Sequence, residues 1–265
     1  MYDFIYYKNT KVSFSVKGRG TALVLLHGFL ENSGMWDAVA DVFTKTNRVI
    51  CIDLLGHGQT ECLGYVHSME TMAAAVQAVL NHLKIRRSIF VGHSLGGYVA
   101  LAFAEANPDS VKGLCLMNST ARADTEERKE LRNRAIDAVK RDYKNLVKNS
   151  ISNLFRPKNR RLFREDIKRI KKDALQTPLQ GYIAAQEGMK IRNDREVLLH
   201  FSPYKKMMIL GKKDPVLSFD DLLEQVQQTE VEVVVFPDGH MSHIENKEAL
   251  IIALQGFVRR CKKAS

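Results

Sequence analysis

Short apolar runs, most of them separated by amphipathic stretches, recur along much of the chain. Near the start, Tyr2–Tyr7 and Val12–Val16 alternate apolar and polar residues around Asn9-Thr10, a pattern typical of a β-hairpin. The runs that follow are short, continuous and bounded by Gly, Pro or Asp, as in strands whose two faces are both buried. The predicted strands are Ala22–Leu26, Val49–Ile52, Ser88–Val91, Val111–Met117, Lys206–Leu210 and Val231–Phe236.

Stretches with apolar residues at three- and four-residue spacing lie between these runs and predict helices. The predicted helices are Trp36–Phe43, Met69–Leu83, Leu95–Glu105, Phe219–Gln227 and Lys247–Arg260. Alternation of strands and helices at this rhythm is typical of a mainly parallel sheet with helices on both faces. The expected fold class is therefore α/β.

Residues 122–204 interrupt this rhythm with basic amphipathic helices and no strand signal. Asp124 and Glu127 fit a capping box, with Asp124 as the N-cap of the first helix. Arg156-Pro157 and Thr177-Pro178 are expected to break the segment into shorter helices. We therefore predict one core formed by residues 1–121 and 205–265, with residues 122–204 inserted as a helical lid.

The positive charge of the chain is concentrated in the same segment. The formal net charge is +10, and residues 122–204 hold 21 Lys/Arg against 12 Asp/Glu. Such an excess fits nucleic acid, an anionic membrane surface or an acidic substrate. No nucleic-acid-binding module accompanies it, so a solvated basic helical face is the preferred interpretation and no nucleic-acid partner is expected.

Cysteine usage and hydropathy indicate the compartment. Cys51 and Cys115 lie inside apolar runs, and no CxxC spacing is present, so buried free thiols are expected. The N-terminus lacks the pattern of a secretory signal, and His27 interrupts the best apolar run before it could cross a bilayer. These features predict a soluble cytoplasmic protein without membrane insertion, and none of them indicates an oligomeric state.

Ser94 is the predicted nucleophile. It stands in Gly92-His93-Ser94-Leu95-Gly96, directly after a predicted strand and directly before a predicted helix. In that context a Gly-x-Ser-x-Gly sequence forms a sharp turn that presents the hydroxyl at the carboxyl edge of the sheet. The glycines keep side chains out of the tight approach to neighbouring elements.

His240 and Asp214 are the predicted partners of Ser94. His240 follows the last apolar strand, which places it at the same sheet edge as the serine, although His243 is a local rival. A base of this kind is oriented by a carboxylate. Asp214 follows the strand Lys206–Leu210 and gives the chain order Ser, Asp, His. After Met117, where the acid stands in some related arrangements, this chain has Asn118 instead, which supports Asp214.

Two backbone N–H groups are predicted to stabilise an oxyanion. One is the amide of Leu95, next to the nucleophile. The other comes from the loop after Leu26, where Phe29 is the preferred donor. Donors of this kind each contribute about 3 kcal/mol to the transition state.

Five motifs together resemble the α/β-hydrolase superfamily, in its order and over nearly the whole chain. They are His27-Gly28-Phe29, Asp53-x-x-Gly56-His57-Gly58, Gly92-His93-Ser94-Leu95-Gly96-Gly97, Gly211-x-x-Asp214-Pro215 and Gly239-His240. The resemblance implies that residues 122–204 cover the active site. It also implies that Asp53 and His57 organise a turn and take no part in catalysis.

The resemblance further implies a carboxylesterase that cleaves a small-molecule ester or a related acyl substrate through an acyl-enzyme. Ser94 argues against the dehalogenases and epoxide hydrolases of the superfamily, which use an aspartate nucleophile. The sequence has no metal-ligand cluster, P-loop or dinucleotide fingerprint, so neither a metal nor another cofactor is expected.

Two alternatives rank lower. Glu126-Glu127-Arg128 followed by Arg132 resembles the lid of the menaquinone-pathway lyase 2-succinyl-6-hydroxy-2,4-cyclohexadiene-1-carboxylate synthase, which uses the same triad as a base. That family has an arginine where this chain has Tyr98, which removes one expected carboxylate ligand. A binding protein on a hydrolase scaffold is disfavoured because such proteins often lose triad members and this chain keeps all three.

Overall fold

An eight-stranded sheet forms the centre of the computed structural model, which describes residues 2–263. The strands lie in the order β1-β2-β4-β3-β5-β6-β7-β8 across the sheet. Their bounds are β1 Tyr2–Tyr7, β2 Thr10–Lys17, β3 Thr21–Leu26, β4 Asn47–Ile52, β5 Ser88–His93, β6 Val111–Met117, β7 Lys205–Gly211 and β8 Glu232–Phe236.

The first two strands form the predicted hairpin, and the rest of the sheet is parallel. β1 pairs antiparallel with β2, and Lys8 and Asn9 turn the chain with φ of 48° and 62°. β2 is antiparallel to β4, whereas β3 to β8 run parallel to one another. The carboxyl ends of the parallel strands therefore meet at one edge, where the loops after β3, β5, β7 and β8 converge.

Helices cover both faces of the sheet, as predicted. Alternate residues of β3 show this directly: Val24 and Leu26 belong to one hydrophobic cluster, and Leu23 and Leu25 belong to another on the opposite face. The helices outside the inserted segment are α1 Asp37–Phe43, α2 Met69–His82, α3 Leu95–Ala106, α9 Phe219–Glu224, α10 Ser242–Glu245 and α11 Lys247–Lys263.

The segment between β6 and β7 is helical, and two of its helices end just before Pro157 and Pro178, where the sequence predicts breaks. They are α4 Glu126–Arg141, α5 Tyr143–Leu154, α6 Arg164–Ala174, α7 Leu179–Lys190 and α8 Val197–Phe201. Its apolar side chains form a third cluster, which includes Val147, Ile151 and Phe155 and reaches Leu30 and Met241 of the sheet-edge loops. Near the two ends of this segment, the Arg195 amide donates to the Ala121 carbonyl at 2.8 Å.

Two details of the sequence interpretation are wrong. Thr125, not Asp124, caps α4, because its side chain accepts from the Arg128 amide at 3.3 Å. Asp124 is instead buried among arginines. The last strand is also not buried on both faces: β8 lies at the sheet edge, and Val233 and Val235 are exposed. Because Val233 and Val235 are two positions apart, they lie on the same face of β8, and that face is open to solvent.

The cysteines agree with a simpler expectation. Cys51 and Cys115 are buried free thiols. Among the described residues 2–263, no helix has the length and apolar character needed to cross a bilayer.

Candidate active site

Ser94 occupies a strained turn between β5 and α3. Its φ of 48° and ψ of −112° lie outside the regions that L-residues ordinarily adopt. The neighbouring glycines make this turn possible because of close backbone approaches. A Cβ at Gly92 would lie 2.3 Å from the Gly96 carbonyl oxygen, and one at Gly96 would lie 2.3 Å from that of Leu26. The hydroxyl is thus held at the carboxyl edge of the sheet, beside the first turn of α3.

His240 and Asp214 are hydrogen-bonded to each other at the same edge. The His240 Nδ1 atom lies 2.7 Å from Asp214 Oδ2, and both side chains are buried. Asp214 Oδ1 accepts from the amides of Val216 and Leu217 at 2.8 and 3.1 Å. Burial alone would raise the pKa of Asp214, but the nearby His240 and these hydrogen bonds outweigh it and lower the pKa. The carboxylate therefore stays ionised and fixes the ring through Nδ1.

Ser94 and His240 line one cavity of about 240 Å³. Its floor comes from the sheet-edge loops and its walls come from α4, α5 and α7. The residues that complete the lining are Phe29, Leu30, Glu31, His93, Tyr98, Arg128, Arg132, Ala135, Ser150, Ile151, Leu154, Tyr182, Gln186, Met189 and Val216. The wall above the serine is thus mostly apolar, with two arginines from α4 on one side.

Phe29 and Leu95, the predicted oxyanion donors, both lie beside the serine. Leu95 is the first residue of α3, and an α-helix leaves the N–H groups of its first turn without intrahelical partners. Phe29 lines the cavity, and no acceptor within residues 2–263 engages its amide. The Phe29 ring packs against Tyr182 of α7, with ring centroids 4.9 Å apart.

The rival histidine, His243, points to a different carboxylate. Its Nε2 lies 3.6 Å from Glu31 Oε1, and burial lowers its pKa to about 4. His57 bonds within its own turn, where its Nδ1 donates to the Leu55 carbonyl at 3.0 Å. Asp53 holds that turn together by accepting from the amides of Ser33 and Gln59. Neither Asp53 nor His57 lines the cavity.

Glu31, His93 and His243 form a buried cluster whose ligand atoms lie within 4.8 Å of one another. A carboxylate and two imidazoles could hold a divalent cation. However, His93 Nδ1 lies only 2.6 Å from Glu31 Oε2, which is the length of a charge-assisted hydrogen bond. A proton therefore fills the space between the two ligand atoms.

Asp124 forms ion pairs with three arginines beside the cavity. Its buried carboxylate accepts from Arg132 and Arg192, and Arg128 lies 4.0 Å away. Burial alone would raise the pKa of Asp124, but its bonds to Arg132 and Arg192 outweigh this and lower the pKa. The Arg192 guanidinium also lies 4.2 Å from the centre of the Tyr98 ring. Of these four charged residues, Arg128 and Arg132 line the cavity, so this side of its wall carries positive charge.

Sequence reasoning missed three polar residues behind the predicted triad. Asn118 donates to Asp214 and to the Gly239 carbonyl, at 3.1 and 3.2 Å. Glu31 and His93 form the short bond described above. Each contact joins positions more than 60 residues apart, and no local pattern encodes such a contact.

Comparisons with known proteins agree with this fold. The family model described as alpha/beta hydrolase fold matches residues 21–247. A thermophilic esterase from Thermogutta terrifontis, solved with malate bound, superposes with a TM-score of 0.90 at 30% identity over 95% of this chain and 94% of that one. The 3-oxoadipate enol-lactonase 1 of Acinetobacter baylyi is 27% identical over 95% of this chain and 94% of its own.

A more local similarity links the chain to longer proteins. Uncharacterized proteins of Mycobacterium tuberculosis and Mycobacterium bovis are 38% identical over 107 residues. That stretch covers 40% of this chain and 31% of those relatives. The match of residues 21–247 to the family model decides the assignment. The chain belongs to the α/β-hydrolase fold family, and the proteins that it resembles include an esterase and an enol-lactonase.

Proposed function

We propose that the protein is a serine hydrolase that cleaves a small carboxylic ester, or a related acyl substrate, through an acyl-enzyme. One observation carries the proposal: Ser94, on a strained turn, and His240, fixed by Asp214, line the same cavity. A nucleophile, a base and a group that orients the base form the arrangement used for acyl transfer.

In the proposed mechanism, His240 Nε2 takes the proton of the Ser94 hydroxyl as its oxygen attacks the acyl carbon. The amides of Phe29 and Leu95 donate to the oxyanion of the tetrahedral intermediate. The intermediate collapses, the C–O bond to the alcohol breaks, and His240 returns the proton to the leaving oxygen. Water then attacks the acyl-enzyme by the same steps and releases the acid and free Ser94. Asp214 stabilises the imidazolium that forms in each half-reaction.

The helical segment, residues 122–204, acts as the lid of this site in the proposal. α4, α5 and α7 provide most of the wall opposite Ser94, so the lid sets the size and chemistry of the substrate. Arg128 and Arg132 lie on that wall. They favour acyl groups or alcohols that carry a carboxylate, and the esterase from Thermogutta terrifontis was solved with malate, a dicarboxylate.

The same two arginines favour the lyase as the second candidate, because they could bind a polyanionic substrate. Against it, Tyr98 occupies the place of the arginine expected for that family, and Arg192 packs over its ring. The esterase therefore remains the first choice.

A panel of p-nitrophenyl esters, from acetate to longer acyl chains, tests the proposal. We expect turnover by the wild type and a loss of kcat on the order of 10⁴-fold or more in both Ser94→Ala and His240→Ala. Ser152→Ala, in a serine of α5 that does not line the cavity, is the matched control and should keep wild-type activity.

Circular dichroism and thermal unfolding would show that each variant is folded. Ordinary activity in folded Ser94→Ala would disprove the nucleophile assignment. A folded wild type that turns over none of the esters, yet releases pyruvate from the substrate of the menaquinone-pathway lyase, would establish the second candidate instead.

A further inference from the structure

Glu31 and His93 form a buried ion pair directly behind the proposed base. His93 Nδ1 lies 2.6 Å from Glu31 Oε2, and the two side chains are 2% and 4% exposed. The same carboxylate oxygen accepts from the Gly28 amide at 2.9 Å. On its other side, His93 Nε2 lies 3.0 Å from the backbone carbonyl oxygen of His240.

This geometry fixes the protonation of His93. Both ring nitrogens face oxygen atoms, one in a carboxylate and one in a carbonyl, and a carbonyl oxygen can only accept. A neutral imidazole carries one N–H, so it could satisfy only one of these contacts unless the carboxylate were protonated. An imidazolium donates to both, and the ionised Glu31 balances its charge.

The electrostatics agree with this assignment. Burial alone would lower the pKa of His93 and raise that of Glu31. The attraction between the two groups outweighs burial in both cases: the pKa of His93 is raised, and that of Glu31 falls to about 2. The pair therefore stays ionised at neutral pH.

The Glu31–His93 pair is connected to the oxyanion loop, to the turn of Ser94 and to the backbone of His240. Gly28 immediately precedes Phe29, one of the proposed oxyanion donors. His93 immediately precedes Ser94 on the strained turn. The bond from His93 to the His240 carbonyl holds the backbone of the base, and the two rings lie 5.1 Å apart between centroids.

We propose that the Glu31–His93 pair is a positioning device that holds the oxyanion loop, the nucleophile turn and the base in one arrangement. This inference rests on the proposed function of Ser94 and His240. Glu31 and His93 touch no reacting atom, so they act through the groups that do.

The groups that face the pair come from several elements. His240 and His243, from the loop after β8 and from α10, place their rings 5.1 and 5.5 Å from that of His93. Asp214, after β7, acts on His93 by its charge and favours the imidazolium. His27, after β3, is buried beside Glu31, and burial lowers its pKa. His243 and His27 are thus neutral, and Arg169, which lines a pocket with Glu31 and His243, adds a positive charge on the far side of His243.

Glu31→Gln is the decisive variant. A glutamine oxygen in the place of Oε2 can still accept from Gly28 and from His93, but it cannot balance an imidazolium. His93 then loses a proton, and one of its two bonds is lost. We expect kcat to fall on the order of 10²-fold with KM nearly unchanged, since misplacement of reacting groups by about 1 Å costs that much.

Glu105→Gln is the matched control. Glu105 lies on α3, away from the cavity, and pairs with the buried Arg195. This variant therefore also removes a carboxylate from a buried cation. It should lower the unfolding temperature and leave kcat at the wild-type value. If Glu105→Gln loses kcat as Glu31→Gln does, the effect is one of general stability, and the positioning role is wrong.

Nitrogen-15 NMR of the histidine side chains separates this inference from the proposed function, because it needs no substrate. In the wild type, one of the eight histidines should keep both ring protons from pH 6 to 8, and its signals should disappear in His93→Gln. In Glu31→Gln the corresponding ring should carry a single proton at pH 7.5. A singly protonated His93 in the wild type at that pH would overturn the inference, even if Ser94 proves to be the nucleophile.

Discussion

The Asn118 side-chain amide donates to Asp214 Oδ2 at 3.1 Å, the same oxygen that His240 Nδ1 approaches at 2.7 Å. Asn118 also accepts from the Ser242 hydroxyl and donates to the Gly239 carbonyl, so it links β6 to the loop that carries His240. Asn118, which cannot serve as the acid itself, therefore supports Asp214, which can.

Asn118→Asp should impair the enzyme most at low pH. It replaces a donor with a second carboxylate beside Asp214, and the added negative charge raises the pKa of both carboxyl groups, so Asp214 loses its charge at a higher pH. We expect the acidic limb of kcat/KM to move to higher pH, and a pH–rate profile from pH 5 to 9 would measure the shift. An unchanged profile would show that Asn118 does not influence the triad.

Ser94→Gly should be inactive but more stable than Ser94→Ala. A non-glycine residue at φ 48° and ψ −112° carries backbone strain of about 1–3 kcal/mol. Glycine relieves that strain and gives back up to about 1 kcal/mol through its greater freedom in the unfolded chain. We expect a net gain of about 1 kcal/mol in the free energy of unfolding in urea. If Ser94→Gly were instead less stable than Ser94→Ala by about 1 kcal/mol, the full cost of a glycine, the turn would not be strained.

Asp124→Asn should destabilise the protein strongly at neutral pH and weakly in acid. Removal of one partner from a buried charge cluster costs about 3–5 kcal/mol, because Arg132 and Arg192 lose their counter-charge. The pKa of Asp124 is lowered in the folded state, so its contribution is complete above the unfolded value of about 3.9 and is lost as pH falls through the folded one. Urea unfolding at several pH values between 3 and 7 would measure how the free energies of unfolding of the wild type and Asp124→Asn approach each other as the pH falls.

Thr125→Ala is the control for that experiment. It removes the N-cap of α4, at a cost of about 1 kcal/mol, and no titrating group is involved. Its difference from the wild type should therefore stay constant with pH. If Asp124→Asn gave the same pH-independent offset, Asp124 would be neutral in the folded protein.

Arg128→Gln should raise KM for acidic substrates. Arg128 lines the cavity, donates to the Val216 carbonyl at 2.8 Å, and leaves its other donors available to an anion. For a p-nitrophenyl ester whose acyl chain ends in a carboxylate, we expect KM to increase about tenfold, the loss of about 1.4 kcal/mol of binding. KM for a neutral ester of equal length should not change.

The ionic strength offers a second measure of the same contact. The wild-type KM for the acidic ester should rise with salt, because screening weakens the attraction, and that dependence should be smaller in Arg128→Gln. A wild-type KM that does not respond to salt for either ester would exclude an anion-binding role for Arg128.

Much of the fold could be predicted from local patterns. Apolar runs located the strands Thr21–Leu26 and Val111–Met117 to within a residue, because buried parallel strands are apolar over their whole length. The edge strand β8 gave the same signal although its outer face is open. Periodicity reports the backbone conformation of a run, whereas burial depends on which element lies beside it.

The site was predictable only where the chemistry is local. Ser94 is set by its own turn, and His240 and Asp214 by the ends of strands. The link from Glu31 to His93 and the arginines around Asp124 depend on distant segments meeting in space. Asp124 illustrates the difference: an acidic residue before a helix usually caps it, but three guanidinium groups compete for the same carboxylate.

The hydrogen bond between Ala121 and Arg195 joins the chain on either side of helices α4 to α7. Arg195 forms ion pairs with Glu70 of α2 and Glu105 of α3, so this end of the segment is fixed to helices that pack on the sheet. Because the entropy cost of a longer flexible connection grows only with the logarithm of its length, loops of this segment that touch no sheet-edge residue can change length at little cost to the sheet. The end of α5 is different, because the Leu154 carbonyl accepts from the His240 amide at 3.0 Å and a change there would also move the proposed base.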